Sequence, residues 1–120
     1  MVKRIRVTVD GVVNHAVLLE NSLAEKIAEM CPFTMDCTRS GGHEYYAALP
    51  KKAAADGCPS TTAGHRNGLY YFEGWNALSL VCRDCDTAPY IIHHVGDFEE
   101  DVAVVMEKTG RSIRIVCEVE

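Results

Sequence analysis

The sequence has no apolar run approaching the roughly 20 residues that cross a bilayer, so a membrane is not an expected partner. It shows no apolar leader either. "MVKRIRVTV" passes from basic residues straight into alternation, without the apolar stretch and small-residue cleavage site of a secretory signal, and a cytoplasmic location is the default expectation. There is no basic face. The net charge is -5, and Lys and Arg are scattered except for Lys3, Arg4 and Arg6. Nothing here resembles the surface that neutralises phosphates, and nucleic acid is not an expected partner. The patterns GxGxxG, GKS or GKT and HExxH are absent, as is a nucleophile elbow. No cofactor is therefore expected. No internal repeat or low-complexity segment is present.

At 120 residues, 48% of them hydrophobic, the chain can enclose one core, and residues 1–120 are expected to form a single domain. Six cysteines (Cys31, Cys37, Cys58, Cys82, Cys85 and Cys117) would suit a disulfide framework in a secreted protein. Without a leader, free thiols are the better reading. Cys117, inside "IRIVCEV", reads as a small buried hydrophobe.

What is present is alternation. Ile5, Val7 and Val9 alternate with Arg4, Arg6 and Thr8, and Asp10-Gly11 supplies a hairpin turn before "VVNHAVLL". A helix is expected from Asn21 or Ser22, with Ser22 and Glu25 at capping-box spacing, Leu23, Ile27 and Met30 on one face, and Pro32 as its stop. "FTMDCT", "EYYAAL", "LYYFE", "ALSLVCR" and "PYIIHHV" read as strands, and Lys51 to Asn67 as a long connection. A second helix is expected with Asp97 as cap and Phe98, Val102 and Val105 on one face, then a last strand in "SIRIVCEV". The total is about eight strands and two helices. Regular alternation argues for a mainly β fold, an antiparallel sheet closed or folded on itself with the helices covering its ends.

The opening hairpin, the helix ending in "CPFTM", "GGHEYYAALP", "GLYYFEGWNALSLV" and the closing helix and strand, in that order, resemble the bacterial cyclophilin-like domains. The resemblance covers nearly the whole chain and implies a closed eight-stranded barrel capped by two helices. A glycine pair followed one residue later by a glutamate recurs in that family, and by the resemblance it falls here on Gly41, Gly42 and Glu44. The "FHR"-like strand of prolyl isomerases is missing: the one "HR", His65-Arg66, lies in the long connection without the phenylalanine. Isomerase activity is not expected. His93 and His94 stand where those relatives tend to have a Gly and a basic residue.

Candidate site residues follow from the strand ends. Gly41 and Gly42 let a ligand or chain approach the backbone and place His43 and Glu44 at the mouth of the next strand. Successive strand residues face opposite ways, so His43 and Glu44 are expected to diverge while Glu44 and Tyr46 share a face. An inward Glu44 would need donors, for which Tyr46, Arg39 or a bound molecule are candidates; the plain alternative is a turn with Glu44 paired to a surface cation. Of His93 and His94, one is expected inside, and the other could join Glu44. Tyr70, Tyr71 and Phe72 read as core packing or as a ligand wall, and Trp75, at a hairpin tip, as exposed. Cys82 and Cys85 form a CxxC without a second ligand pair, so ordinary thiols are favoured over a metal or redox site.

The leading expectation is a barrel that binds a small molecule or peptide at its mouth through Arg39, Gly41, Gly42, Glu44, Tyr46, Tyr71, Trp75 and His94, without turning it over. Two alternatives stand beside it. One is acid–base chemistry by Glu44 with His93 or His94; the other is an interaction module using Trp75 and the Lys51 to Asn67 loop, including a homodimer.

Overall fold

The computed structural model describes residues 3–55 and 58–120. In chain order the elements are β1 (Lys3–Val9), β2 (Val12–Leu18), α1 (Ser22–Glu29), β3 (Phe33–Ser40), β4 (Glu44–Ala48), β5 (Ala63–Gly64), β6 (Gly68–Phe72), β7 (Ala77–Val81), β8 (Cys85–Asp86), β9 (His93–Phe98), α2 (Val102–Glu107) and β10 (Ser112–Val119). Eight strands close a barrel in the order β1-β10-β3-β4-β7-β6-β9-β2, while β5 and β8 form a separate two-stranded ribbon. Every pairing is antiparallel. Closure leaves the barrel without an edge strand.

The alternation sorts residues as the period of two requires. Ile5, Val7, Val9, Met35, Cys37, Ile113, Ile115 and Cys117 are buried in one core with Tyr45, Leu69, Tyr71, Leu78 and Leu80. Side chains fill the inside of this barrel, as in other small barrels. The inner tyrosines satisfy their hydroxyls there: Tyr71 donates to Ala53 O at 2.8 Å and lies 2.6 Å from Asn76 Oδ1, and Tyr45 donates to Met106 O at 3.2 Å.

Asp10 and Gly11 carry the first hairpin at φ +48° and +83°, the positive-φ pair such a turn needs. Helix α1 is capped by Asn21, whose Oδ1 accepts from Ala24 N at 2.8 Å, so the Ser22 and Glu25 capping box does not form. The helix buries Leu23, Ala24, Ile27 and Ala28, with each large side chain contributing on the order of 1.5–3 kcal/mol.

Two boundaries differ from expectation. Pairing of β9 with β2 and β6 continues to Phe98, so Asp97 is a strand residue and α2 begins only at Val102, with Asp101 in the cap position. The gain of ladder hydrogen bonds outweighs the capping preference of Asp97. Conversely, Pro89 to Ile91 lie outside β9, since a proline cannot donate to the ladder.

The long connection, of which residues 56–57 lie outside the described residues, is pinned at its start. Ala53 N donates to Asn76 Oδ1 at 3.0 Å and Ala55 N to Glu73 Oε2 at 3.0 Å. It then enters the ribbon. Thr61 bridges to Ile92, and Ala63 and Gly64 pair with Asp86 and Cys85. This ribbon lies on the outside of the barrel, where Tyr70, Val81 and Ile92 form a second small cluster joined by Phe72 and Cys85.

Candidate functional site

Register decides which face Glu44 occupies. Tyr45 pairs with Leu80, and both are core residues; Glu44 pairs with Val81 and Tyr46 with Ser79, so these four point away from the barrel axis. Glu44 and Tyr46 share a face, but it is the outer one, because inward Tyr45 fixes the parity of the strand. A mouth site lined by an inward Glu44 is therefore replaced by a groove on the outer wall. The groove encloses about 330 Å³ between β4, β7, the β6–β7 connection and the 86–92 segment.

Its polar end is built by the glycine pair. Gly41 and Gly42 sit at φ +61° and +75°, and His43 N donates to Ser40 O at 3.2 Å to close the turn. His43 thus belongs to the turn, and strand alternation does not apply to it. Its ring folds back over Gly41, where a Cβ would lie 2.6 Å from Nδ1, and brings Nε2 to 2.9 Å from Glu44 Oε2. His43 and Glu44 converge. The other carboxylate oxygen, Oε1, accepts from Ser79 Oγ at 2.9 Å. Arg39 faces inward beside Tyr45, its guanidinium carbon 5.8 Å from the ring centroid, and donates to Gly42 O at 3.1 Å. It supports the turn and does not line the groove.

The apolar end is aromatic. Trp75 lies 5.6 Å from Tyr46 and 5.3 Å from Phe72, and Phe72 lies 5.9 Å from Tyr90, all between ring centroids. Trp75 and Tyr90 are each 63% exposed, so their faces remain open to a ligand. Glu44 and Asp86 are the acids along the lining, with His43 their one basic neighbour there. Tyr90 and Asp86 gave no site signal in the sequence; only the fold of the 86–92 segment brings them here.

Besides Arg39, two expected site residues lie elsewhere. Tyr71 is fully buried inside the barrel, its hydroxyl engaged as described. His94 is on the outer face, but β7 and β6 separate its strand from that of Glu44, which is three interstrand steps or about 14 Å. Its ring stacks on Tyr70 at 5.0 Å and its Nε2 meets Asp97 Oδ1 at 2.8 Å. His93 is half-buried, with Nδ1 3.1 Å from Pro59 O, so neither histidine packs in the core. A bulge between Leu69 and Tyr70 shifts the pairing there.

The chemistry follows from donor order. Ser79 donates to a carboxylate and not to a histidine, so the Ser–His pairing of a serine nucleophile is not formed here. Glu44 is instead a fixed acceptor, 20% exposed, held between an imidazole and a hydroxyl. Cys82 is buried with Sγ 3.8 Å from Gly42 O, and Cys85 packs against Gly64; burial pushes both thiols up. Among the described residues neither joins a group of three metal-ligating side chains. Among the described residues no helix is long and apolar enough to cross a membrane.

The model of the cyclophilin-like family matches residues 7–118. Among solved structures, the chain is similar to the solution structure of a hypothetical protein from Archaeoglobus fulgidus, with a TM-score of 0.76 and 14% identity over 99% of this chain and 95% of that one. The likeness is one of fold. No curated protein matches.

Proposed function

The chain belongs to the cyclophilin-like family, and from that premise we propose that it binds a small molecule or a peptide side chain bearing a cationic, ammonium-type group in the outer groove, without turning it over. The observation that carries this reading is the pairing of a fixed carboxylate, Glu44, with aromatic walls formed by Tyr46, Phe72, Trp75 and Tyr90 in one groove. Aromatic faces attract organic cations through their quadrupole, and the attraction grows where the cation is partly desolvated. A nearby carboxylate adds charge complementarity and disfavours anions. Further support comes from the lining itself, which offers no lysine or arginine, and hence no counterpart of the arginine a prolyl isomerase presents.

The single tryptophan of the chain lies in the groove and reports on it. Titration with benzyltrimethylammonium is expected to give a saturable change in Trp75 fluorescence, whereas benzoate gives none. An equal response to both, or no response to the cation, defeats the reading.

The interaction-module reading draws support from the exposure of Trp75 and Tyr90 along the groove and of Ile91 beside Tyr90. Sedimentation at high concentration tests its homodimer form: a concentration-independent monomer removes it.

A further inference from the structure

On the far side of Tyr70 from the groove, three side chains from different parts of the chain meet. His65 comes from the loop before β6, and His94 and Asp97 from β9. His65 Nε2 is 3.1 Å and His94 Nε2 2.8 Å from the same atom, Asp97 Oδ1. The two imidazole rings cross at 78° with centroids 5.0 Å apart. One donor atom from each residue lies within 4.8 Å of the other two.

These spacings are hydrogen-bond lengths, and they are also short enough for the three donors to share one ion. Two donors each about 2.1 Å from a metal and at right angles to one another stand about 3.0 Å apart, while tetrahedral donors stand about 3.4 Å apart. The separations of 2.8 and 3.1 Å suit a carboxylate oxygen at right angles to each imidazole nitrogen.

The surroundings fix the donors. His65 Nδ1 is 3.2 Å from Arg66 O, and since a carbonyl only accepts, Nδ1 carries the proton. A neutral ring protonated there turns the lone pair of Nε2 toward the carboxylate, two acceptors face to face. A cation between them resolves that opposition; the competing resolution is a second ring proton. A ligating histidine whose other nitrogen donates to a carbonyl is the usual outer shell of a metal site. Tyr70 holds both rings, stacked on His94 at 5.0 Å and edge-on to His65 at 5.6 Å, and its hydroxyl accepts from His65 N at 3.0 Å. Gly68 leaves the space His65 needs, since a Cβ there would lie 3.2 Å from Cε1 of that ring. Asp97 sits on a backbone paired on both sides, to Val17 and to Gly68.

The geometry points to a binding site for a first-row divalent transition ion, ligated by His65 Nε2, His94 Nε2 and Asp97, with the remaining positions open to water or a ligand. Two imidazoles and one carboxylate suit zinc, cobalt or iron(II), and disfavour magnesium and calcium, which take oxygen ligands. The site is independent of the groove.

The test is titration of the purified full-length chain with cobalt(II), followed by visible absorption and by calorimetry. The expected result is one ion per chain, with no sulfur-to-cobalt charge-transfer band. His65→Ala and Asp97→Asn are each expected to weaken binding at least about tenfold. His15→Ala, in the other histidine–carboxylate group of Glu99 and Glu100, leaves it unchanged. Thermal melts in chelator keep loss of the ligand set distinct from loss of fold, and Asp97→Asn preserves side-chain size if His65→Ala is destabilised. No saturable binding at millimolar cobalt overturns the proposal, as does a thiolate band or variants that bind like the parent.

Discussion

His43 Nε2 lies 2.9 Å from Glu44 Oε2, although the two residues are neighbours in the chain and strand alternation alone would send them apart. The contact exists because the Gly41-Gly42 turn ends one residue late, at His43, and only then does β4 begin.

Gly41 carries that arrangement. Its φ of +61° costs an alanine roughly 1–2 kcal/mol, and the added Cβ would strike the His43 ring. Gly41→Ala is expected to lower stability by at least that amount in a denaturant titration and to displace His43 in its NMR spectrum. Gly42→Ala, which meets no neighbouring atom, should show the backbone cost alone.

Glu44→Gln removes the groove's fixed charge while keeping its shape and an oxygen for Ser79. Affinity for benzyltrimethylammonium, read from Trp75 fluorescence, is expected to fall about tenfold or more, equivalent to about 1.4 kcal/mol. Unchanged affinity would show that the aromatic walls act without the carboxylate.

Tyr71→Phe separates core from groove. The buried hydroxyl serves Ala53 O and Asn76 Oδ1, so its loss should cost about 1–3 kcal/mol of stability and leave groove binding unaltered. A change in affinity at constant stability would return Tyr71 to the site.

The alkaline limb of stability reports the buried thiols. Burial pushes the Cys37 thiol up from 9.0 to about 12, and the Cys117 thiol is raised by the same cause. The folded chain therefore keeps protons that the unfolded chain releases. Their contribution is fully present below about pH 9 and is lost as pH rises through the window up to about 12. Denaturant midpoints are expected to fall between pH 8.5 and 10.5, and Cys37→Ser, which removes one such thiol, should flatten that fall. A midpoint independent of pH over that range would contradict the burial of these groups.

Much of the architecture was legible in the chain itself, because a half-buried strand writes its two faces into alternate residues. Ile5, Val7 and Val9, or Ile113, Ile115 and Cys117, announce inward positions with no knowledge of their partners. Asp10-Gly11 announces a turn, and Trp75 its own exposure. The helix starts were less legible: Asn21 outcompeted Ser22 as cap, and sheet pairing claimed Asp97 and Phe98.

Within the candidate groove, Glu44, Tyr46 and Trp75 were nameable from the sequence, since a glycine turn and strand-end aromatics are local signals. Which side of the wall they face was not. That parity is set by Tyr45 packing in the core opposite Leu80, a relation between strands more than thirty positions apart. Tyr90 and Asp86, and the meeting of His65 with His94 and Asp97, depend likewise on a ribbon and a bulge that join distant segments. Local periodicity could write the strands and turns because it needs only near neighbours. The sites needed closure of the barrel, because only three-dimensional packing decides which remote side chains end up a hydrogen-bond length apart.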